Sequence, residues 1–271
     1  MEKQLKLFAT DMDGTFLHDD RTFNHEKLHE ILQQFTKKKL IFAASSGRSL
    51  LALTELFADF RDEMAFVAEN GGVVAVGSKI IFAAHFSLAQ VNELIGFLRS
   101  MPYSPQDDFL ISGLKGAYML DSVSDWFFNK AQLYYPNCQK VASAADISDD
   151  LLKITTNFPE AHTRECENWI NTHAPYTRAT TTGFTSIDII PAGLSKATGL
   201  AKLLDYLSLS KDNLAVFGDQ MNDYEMLQYA GTAYAVSNAS PEILAIADKI
   251  IGTNNDDTVL AEIEQILATI E

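Results

Sequence analysis

Asp11-Met12-Asp13-Gly14-Thr15 places two carboxylates one residue apart, directly after the apolar run Leu5-Lys6-Leu7-Phe8-Ala9. A carboxylate ending a buried strand can attack phosphorus while a magnesium ion shields its charge. The second carboxylate, two residues on, points the same way and can pass a proton to and from a leaving oxygen. Gly14 lets the backbone turn sharply behind them. The chemistry these five residues fit is phosphoryl transfer. A calcium loop starting at Asp11 needs Asp or Asn at its fifth position, Gly at its sixth and Glu at its twelfth. Thr15, Phe16 and Thr22 stand there, so that reading fails.

Three further features supply what such a reaction needs. Ser46, in Ser45-Ser46-Gly47-Arg48, can donate its hydroxyl to a phosphoryl oxygen; of the two adjacent serines, Ser46 is chosen because it directly precedes Gly47. Lys196, behind Pro191-Ala192-Gly193 at a helix start, offers positive charge against an approaching carboxylate. Gly218-Asp219-Gln220-Met221-Asn222-Asp223 offers Asp219 as a metal ligand, with Asn222 and Asp223 one helical turn later. Magnesium prefers few protein carboxylates plus water and phosphate oxygens, which suits Asp11 and Asp219. Asp223, four residues from Asp219, suits a supporting place around the ligands.

The elements that must hold these residues alternate. Leu5–Thr10 reads as a strand, and Asn24 caps a helix whose Leu28, Ile31, Leu32 and Phe35 fall at i, i+3, i+4 and i+7. Leu40–Ala44 is a second buried strand, with a helix from about Leu50 to Ala58 behind it. Phe66-Val67-Ala68, the turn Glu69–Gly72 and Val73–Val76 form a strand and hairpin. Ser186–Ile190, Leu214–Phe217, Ala233–Val236 and Lys249–Ile251 resume the alternation. Buried strands alternating with helices predict a doubly wound, mainly parallel α/β sheet, with ligands bound outside the strands' carboxyl ends. Asp11, Asp13, Ser46 and Asp219 all end strands, and Lys196 opens a helix after another.

About a hundred residues lie between the halves, far more than the roughly 30 of a simple strand–helix–strand unit. Helical patterns near Leu88–Leu98 and Ser122–Leu133, and strand-like runs near Gly116–Leu120, Leu151–Thr155 and Tyr176–Thr181, make this a self-contained α+β insertion. The expected division is a core of residues 1–84 and 185–271 and an inserted domain of residues 85–184.

At this point the order DxDGT, Ser-Gly-Arg, a distant lysine and GDxxND resembles the haloacid dehalogenase superfamily. It looks like the magnesium-dependent phosphatase branch whose large cap lies between the second and third motifs (Cof-like, subfamily IIB), over essentially the whole chain. Phe66–Gly71 and Thr182-Gly183-Phe184 are similar to its sugar-phosphatase members. The resemblance implies a Rossmann-like core with an inserted cap, Asp11 as nucleophile and Asp13 as general acid and base. It implies Mg²⁺ held by the Asp11 side chain, the Asp13 backbone carbonyl and Asp219. Ser46, Gly47, Lys196 and Asn222 would hold the phosphoryl oxygens, with Thr15 and Asp223 behind them. Tyr118 and Phe184 are candidates for cap residues that face the core. The substrate would be a small phosphorylated metabolite, such as a sugar phosphate. Two alternatives stay open: a phosphotransferase or phosphomutase using the same intermediate, and a metal-binding regulatory protein that kept the fold and lost catalysis.

Composition narrows the partners. Lys and Arg number 21 against 36 Asp and Glu in 271 residues, a net charge of −15. Such a chain repels nucleic-acid phosphates and anionic lipid, so neither is an expected partner. Cys138 and Cys166 have no metal-ligand or redox spacing, which fits a reducing cytoplasm. Met1–Gln4 run straight into the first strand with no room for a signal peptide, and no apolar stretch approaches the roughly 20 residues of a membrane span. His25-Glu26-Lys27-Leu28-His29 matches the H-E-x-x-H zinc pattern, but His29 and Glu26 turn away from the helix's core face and no third ligand is marked. It reads as a solvated helix face. No dinucleotide or P-loop glycine pattern occurs.

Overall fold

The computed structural model describes residues 5–133, 135, 137–182 and 185–270. They divide into two compact units, one holding the chain through Ser46, Leu56–Phe82 and everything from Ser195 onward, the other Gly47–Glu55 and Ala83–Leu194. In chain order the first strands are β1 (Leu7–Thr10), β2 (Ile41–Ser45), β3 (Met64–Ala68), β4 (Val73–Val76) and β5 (Lys79–Ala83). Then come β6 (Phe109–Gly113), β7 (Ala117–Leu120), β8 (Cys138–Val141), β9 (Leu151–Asn157), β10 (Thr177–Thr181) and β11 (Ser186–Pro191). The last are β12 (Leu214–Gly218), β13 (Thr232–Val236) and β14 (Lys249–Ile251).

Among the described residues, the first unit's sheet runs β14-β13-β12-β1-β2-β3-β4-β5. Every pairing from β14 to β3 is parallel, and β4 returns antiparallel to β3 as a hairpin. The sequence explains this. β1 (LFAT) and β12 (LAVFG) are buried at every residue, and an unbroken apolar run suits a strand covered on both faces. From β1 the chain moves outward through β2 and β3; from β12 it moves outward the other way through β13 and β14. The β1–β12 boundary is therefore the point where strand order reverses, and it is outside the carboxyl ends at such a point that open α/β sheets bind their ligands. The Asp11 N–H donates to the Phe217 carbonyl at 2.9 Å across that boundary.

Helix α1 (His25–Lys38) covers the sheet with Leu28, Ile31, Leu32 and Phe35, the residues its periodicity marks. Asn24 caps it, its side chain accepting the Lys27 N–H at 3.0 Å. Phe35 packs between Phe8 and Phe42, with ring centroids 5.1 and 6.3 Å away. Burying each such side chain contributes about 1.5–3 kcal/mol. Of the two histidines in the zinc-like pattern, His25 stacks on Phe23 and His29 meets the Gln33 amide. Helix α2 (Leu50–Leu56) follows β2.

The second unit's sheet runs β10-β11-β9-β6-β7-β8. Helices α3 (Leu88–Ser100) and α5 (Thr163–His173) bury Val91, Leu94, Leu98, Cys166 and Ile170 against Ile111, Ile154, Ile187 and Ile189. The shorter α4 (Asp125–Ala131) lies between them in the chain. Here the expected domain boundary needs correction. Ser186–Pro191 is not a strand of the core sheet; β11 pairs antiparallel with β9 and β10. Its alternation is the reason: Ile187 and Ile189 face the apolar cluster, while Asp188 takes the opposite face. The second unit accordingly runs to Leu194, and it also takes in Gly47–Glu55. Gly183 and Phe184 lie outside the described residues. No helix among the described residues is long and apolar enough to cross a membrane.

Candidate active site

The loops leaving β1, β2 and β12 and the start of α6 (Lys196–Leu207) carry the candidate residues of the first unit. Asp11, Asp219 and Asp223 are buried, and each offers a carboxylate oxygen within 4.8 Å of the others. Lys196, 1% exposed, closes the group: its ammonium donates to Asp11 Oδ1 and to Asp223 Oδ1, each at 2.5 Å. The other oxygen of Asp223 accepts the N–H groups of Asp219 (2.9 Å) and Gln220 (3.1 Å). Both Asp223 oxygens are thus committed to shaping the turn and to Lys196. The Thr15 hydroxyl donates to Asp219 Oδ1 at 2.9 Å, which fixes that carboxylate from the first loop.

Two glycines make these approaches possible. Gly14 adopts φ +84°, and a Cβ on it would lie 2.6 Å from Asp219 Oδ2. Gly71, at φ +95°, packs so close to the start of α6 that a Cβ would lie 2.0 Å from the Ser195 carbonyl. Only a residue without a side chain fits either place. Ser195 caps α6, its side chain accepting the Thr198 N–H, and this sets Lys196 as the first helical residue.

The charges are unbalanced. Three buried carboxylates face one ammonium. Burial pushes Asp11 well above the usual carboxylate range; Lys196 pulls it down, and Asp223 and Asp219 push it up again. Asp219 is pushed up to about 6, first by burial and then by Asp223. Lys196 is raised by its two carboxylate partners against the effect of burial. A buried, oxygen-only set with excess negative charge fits a small hard divalent cation.

The other candidates fall as follows. Asp13 is exposed, two residues beyond Asp11. Ser46 is buried directly after β2; its N–H donates to the Val67 carbonyl at 2.8 Å and its carbonyl accepts the Asn70 N–H at 3.0 Å. Gly47 follows it and belongs to the second unit. The Asn222 amide donates to Asn70 Oδ1 at 3.4 Å. Tyr118 sits among the apolar side chains of the second unit, its hydroxyl donating to Asp149 at 3.1 Å. Sequence reasoning missed Asn70, which meets both Ser46 and Asn222. Its signal was Glu69-Asn70-Gly71-Gly72, since Glu69 and Asn70 both adopt φ +52° and Asn tolerates that region better than most residues.

A doubly wound sheet with an inserted α+β unit, and a buried Asp–Lys–Asp group at its topological switch point, defines a phosphoryl-transfer enzyme of the α/β class. The model of the haloacid dehalogenase-like hydrolase family matches residues 8–263, and the chain belongs to that family. It is 31% identical to the 5-amino-6-(5-phospho-D-ribitylamino)uracil phosphatase YbjI of Escherichia coli (strain K12), over 97% of this chain and 96% of that protein. It is also similar to the crystal structure of SMU.1108c from Streptococcus mutans UA159, with a TM-score of 0.91 at 29% identity, covering 98% of this chain and 100% of that one. The subclass IIB sugar phosphatase BT4131 shares the fold, with a TM-score of 0.79 at 17% identity over 96% of this chain and 98% of that one. The protein is a phosphoric monoester hydrolase.

Proposed function

We propose that the chain is a Mg²⁺-dependent phosphatase of small sugar and sugar-alcohol phosphates that works through an Asp11 aspartyl-phosphate. One observation carries this reading: the Asp11 carboxylate, buried at the switch point, ion-paired to Lys196 and within reach of Asp219. Asp11 attacks phosphorus, and the phosphorus–oxygen bond to the alcohol breaks as Asp13 donates a proton to the leaving oxygen. Asp13 then takes a proton from water as that water attacks phosphorus, freeing inorganic phosphate and restoring Asp11. Ser46, Gly47, Lys196 and Asn222 hold the phosphoryl oxygens. Asp11, the Asp13 backbone carbonyl and Asp219 would hold Mg²⁺, which when bound offsets the repulsion between carboxylate and phosphoryl group.

The relative named for a ribityl phosphate supports a substrate with its phosphate at the end of a five-carbon sugar-alcohol chain. We read residues 83–194, the long segment of the second unit, as the cap that selects the organic half of the substrate. The acidic composition supports a small metabolite over nucleic acid or a membrane surface, and the paucity of cysteines supports a cytoplasmic setting. A screen of the purified protein against aryl, sugar, sugar-alcohol and nucleotide phosphates tests the reading, with turnover of several five- and six-carbon esters as the expected result. No turnover of any ester would overturn it, and capture of phosphate by added alcohols would move it to a phosphotransferase.

Two predictions follow from the roles. Asp13→Ala should lose far less activity on aryl phosphates, whose leaving groups need little protonation, than on sugar phosphates; equal losses would remove Asp13 from the acid role. Exhaustive chelation should abolish turnover and Mg²⁺ should restore it, while also raising the unfolding temperature. Ca²⁺ in excess should inhibit, since it takes more ligands at longer distances. Full activity in chelator, with no thermal shift on adding Mg²⁺, is the contrary result.

A further inference from the structure

We infer that Lys153, in the second unit, is a positioning residue for the phosphate-binding loop, holding it through the Gly47 carbonyl. The inference rests on the reading of Ser46 and Gly47 as phosphoryl ligands given above. Lys153 lies in β9 and is 1% exposed. Strand alternation puts Lys153 and Thr155 on one face of the second sheet, and Asp188 of β11 stands directly opposite Thr155. This is the face turned away from Ile154, Ile187 and Ile189. The Lys153 ammonium lies 3.2 Å from Asp188 Oδ2, and Asp188 Oδ1 accepts the Thr155 hydroxyl at 2.7 Å. An ammonium taken out of water is costly, and Asp188 supplies its counter-charge. Balancing that charge does not require a loop carbonyl, yet the ammonium also donates to the Gly47 carbonyl at 2.6 Å.

What that bond does follows from peptide geometry. In a planar trans peptide the carbonyl and the next residue's N–H point in opposite directions. The Ser46 carbonyl accepts the Asn70 N–H at 3.0 Å, which aims the Gly47 N–H the other way. The Gly47 carbonyl accepts the Lys153 ammonium, which likewise aims the Arg48 N–H. Two consecutive peptide planes directly after β2 are therefore held, the first by Asn70 and the second by Lys153. Lys153 is distant in sequence from every motif that carries the chemistry, and its effect falls on the phosphoryl half of the substrate, which all substrates share.

The test is inhibition by inorganic phosphate, read beside kcat/KM on an aryl, a sugar and a sugar-alcohol phosphate. Lys153→Met removes the donor and keeps the volume. It should weaken phosphate inhibition by roughly 10- to 100-fold and lower kcat/KM by a similar factor for all three esters. Lys153→Arg, which keeps a donor, should recover most of both. A role in folding alone would lower the unfolding temperature or the active fraction and leave the phosphate inhibition constant of the folded enzyme where it was. Should Lys153→Met fail to fold, the neutral pair Lys153→Gln with Asp188→Asn, too short to reach Gly47, should show the same weakened inhibition. An unchanged inhibition constant in a folded variant, or a reordering of the three esters, overturns the inference and leaves the phosphatase reading standing. A wild-type protein that neither turns over these esters nor binds phosphate overturns both.

Discussion

Asp11→Asn is predicted to slow turnover of both aryl and sugar phosphates by about 10,000-fold or more, as loss of a covalent nucleophile does. An amide neither attacks phosphorus nor supplies a charged metal ligand. The fold should not suffer. Asp11 is one of three buried carboxylates around a single ammonium, and Lys196 keeps Asp223 when Asp11 is neutralised. In chelator the variant should therefore unfold at the same temperature as the wild type or above it, and its gain on adding Mg²⁺ should shrink. Steady-state rates and a thermal melt read both effects. A pure sample retaining more than a few per cent of activity would exclude the covalent route.

Lys196→Met is the opposite case, because it should damage rate and stability together. Removing the ammonium leaves Asp11 and Asp223 buried without their cation, and breaking a buried pair this way costs about 3–5 kcal/mol. For a chain of this size that lowers the unfolding temperature by roughly 10 °C in chelator. On the proposed reading Lys196 acts on the phosphoryl half that all esters share, so every substrate should be affected alike. Adding Asp223→Asn to Lys196→Met should restore part of the lost temperature and none of the rate. If the double variant melts no higher than the single one, the Lys196–Asp223 pair is not what sets the stability of this corner.

Much of this site is legible in the chain because parallel-sheet strands announce themselves. Leu7–Thr10 and Leu214–Gly218 are short unbroken apolar runs, and what stands after such a run stands at a sheet edge. That places Asp11, Ser46 and Asp219 before any coordinates exist. The misassigned strand shows where the same logic slips. Ser186–Pro191 looks apolar enough for the core, yet Asp188 in its middle breaks the run into an alternating pattern, the mark of an antiparallel strand with one polar face. β5 and β8 escaped because edge strands are half-exposed and carry little hydrophobic pattern. Tertiary pairings were invisible for another reason. Asn70 reaches Ser46 through a left-handed turn, and Lys153 reaches Gly47 across 106 residues; no local rule joins such positions.

The placement of β1 between β2 and β12 has a consequence for how the protein is made. Thr15 and its partner Asp219 are 204 positions apart, so at ribosomal speeds of about 5–20 residues per second the second arrives roughly 10–40 s after the first. Throughout that interval one edge of β1, a strand buried at every residue, has nothing to pair with, and an open, apolar edge is a template for association with other chains. Ala83–Leu194, contiguous and carrying its own apolar core, can settle in the meantime. Translation stalled after Leu194 and before Leu214 would thus yield nascent chains with one finished unit and one adhesive half-sheet, the species on which a chaperone would act.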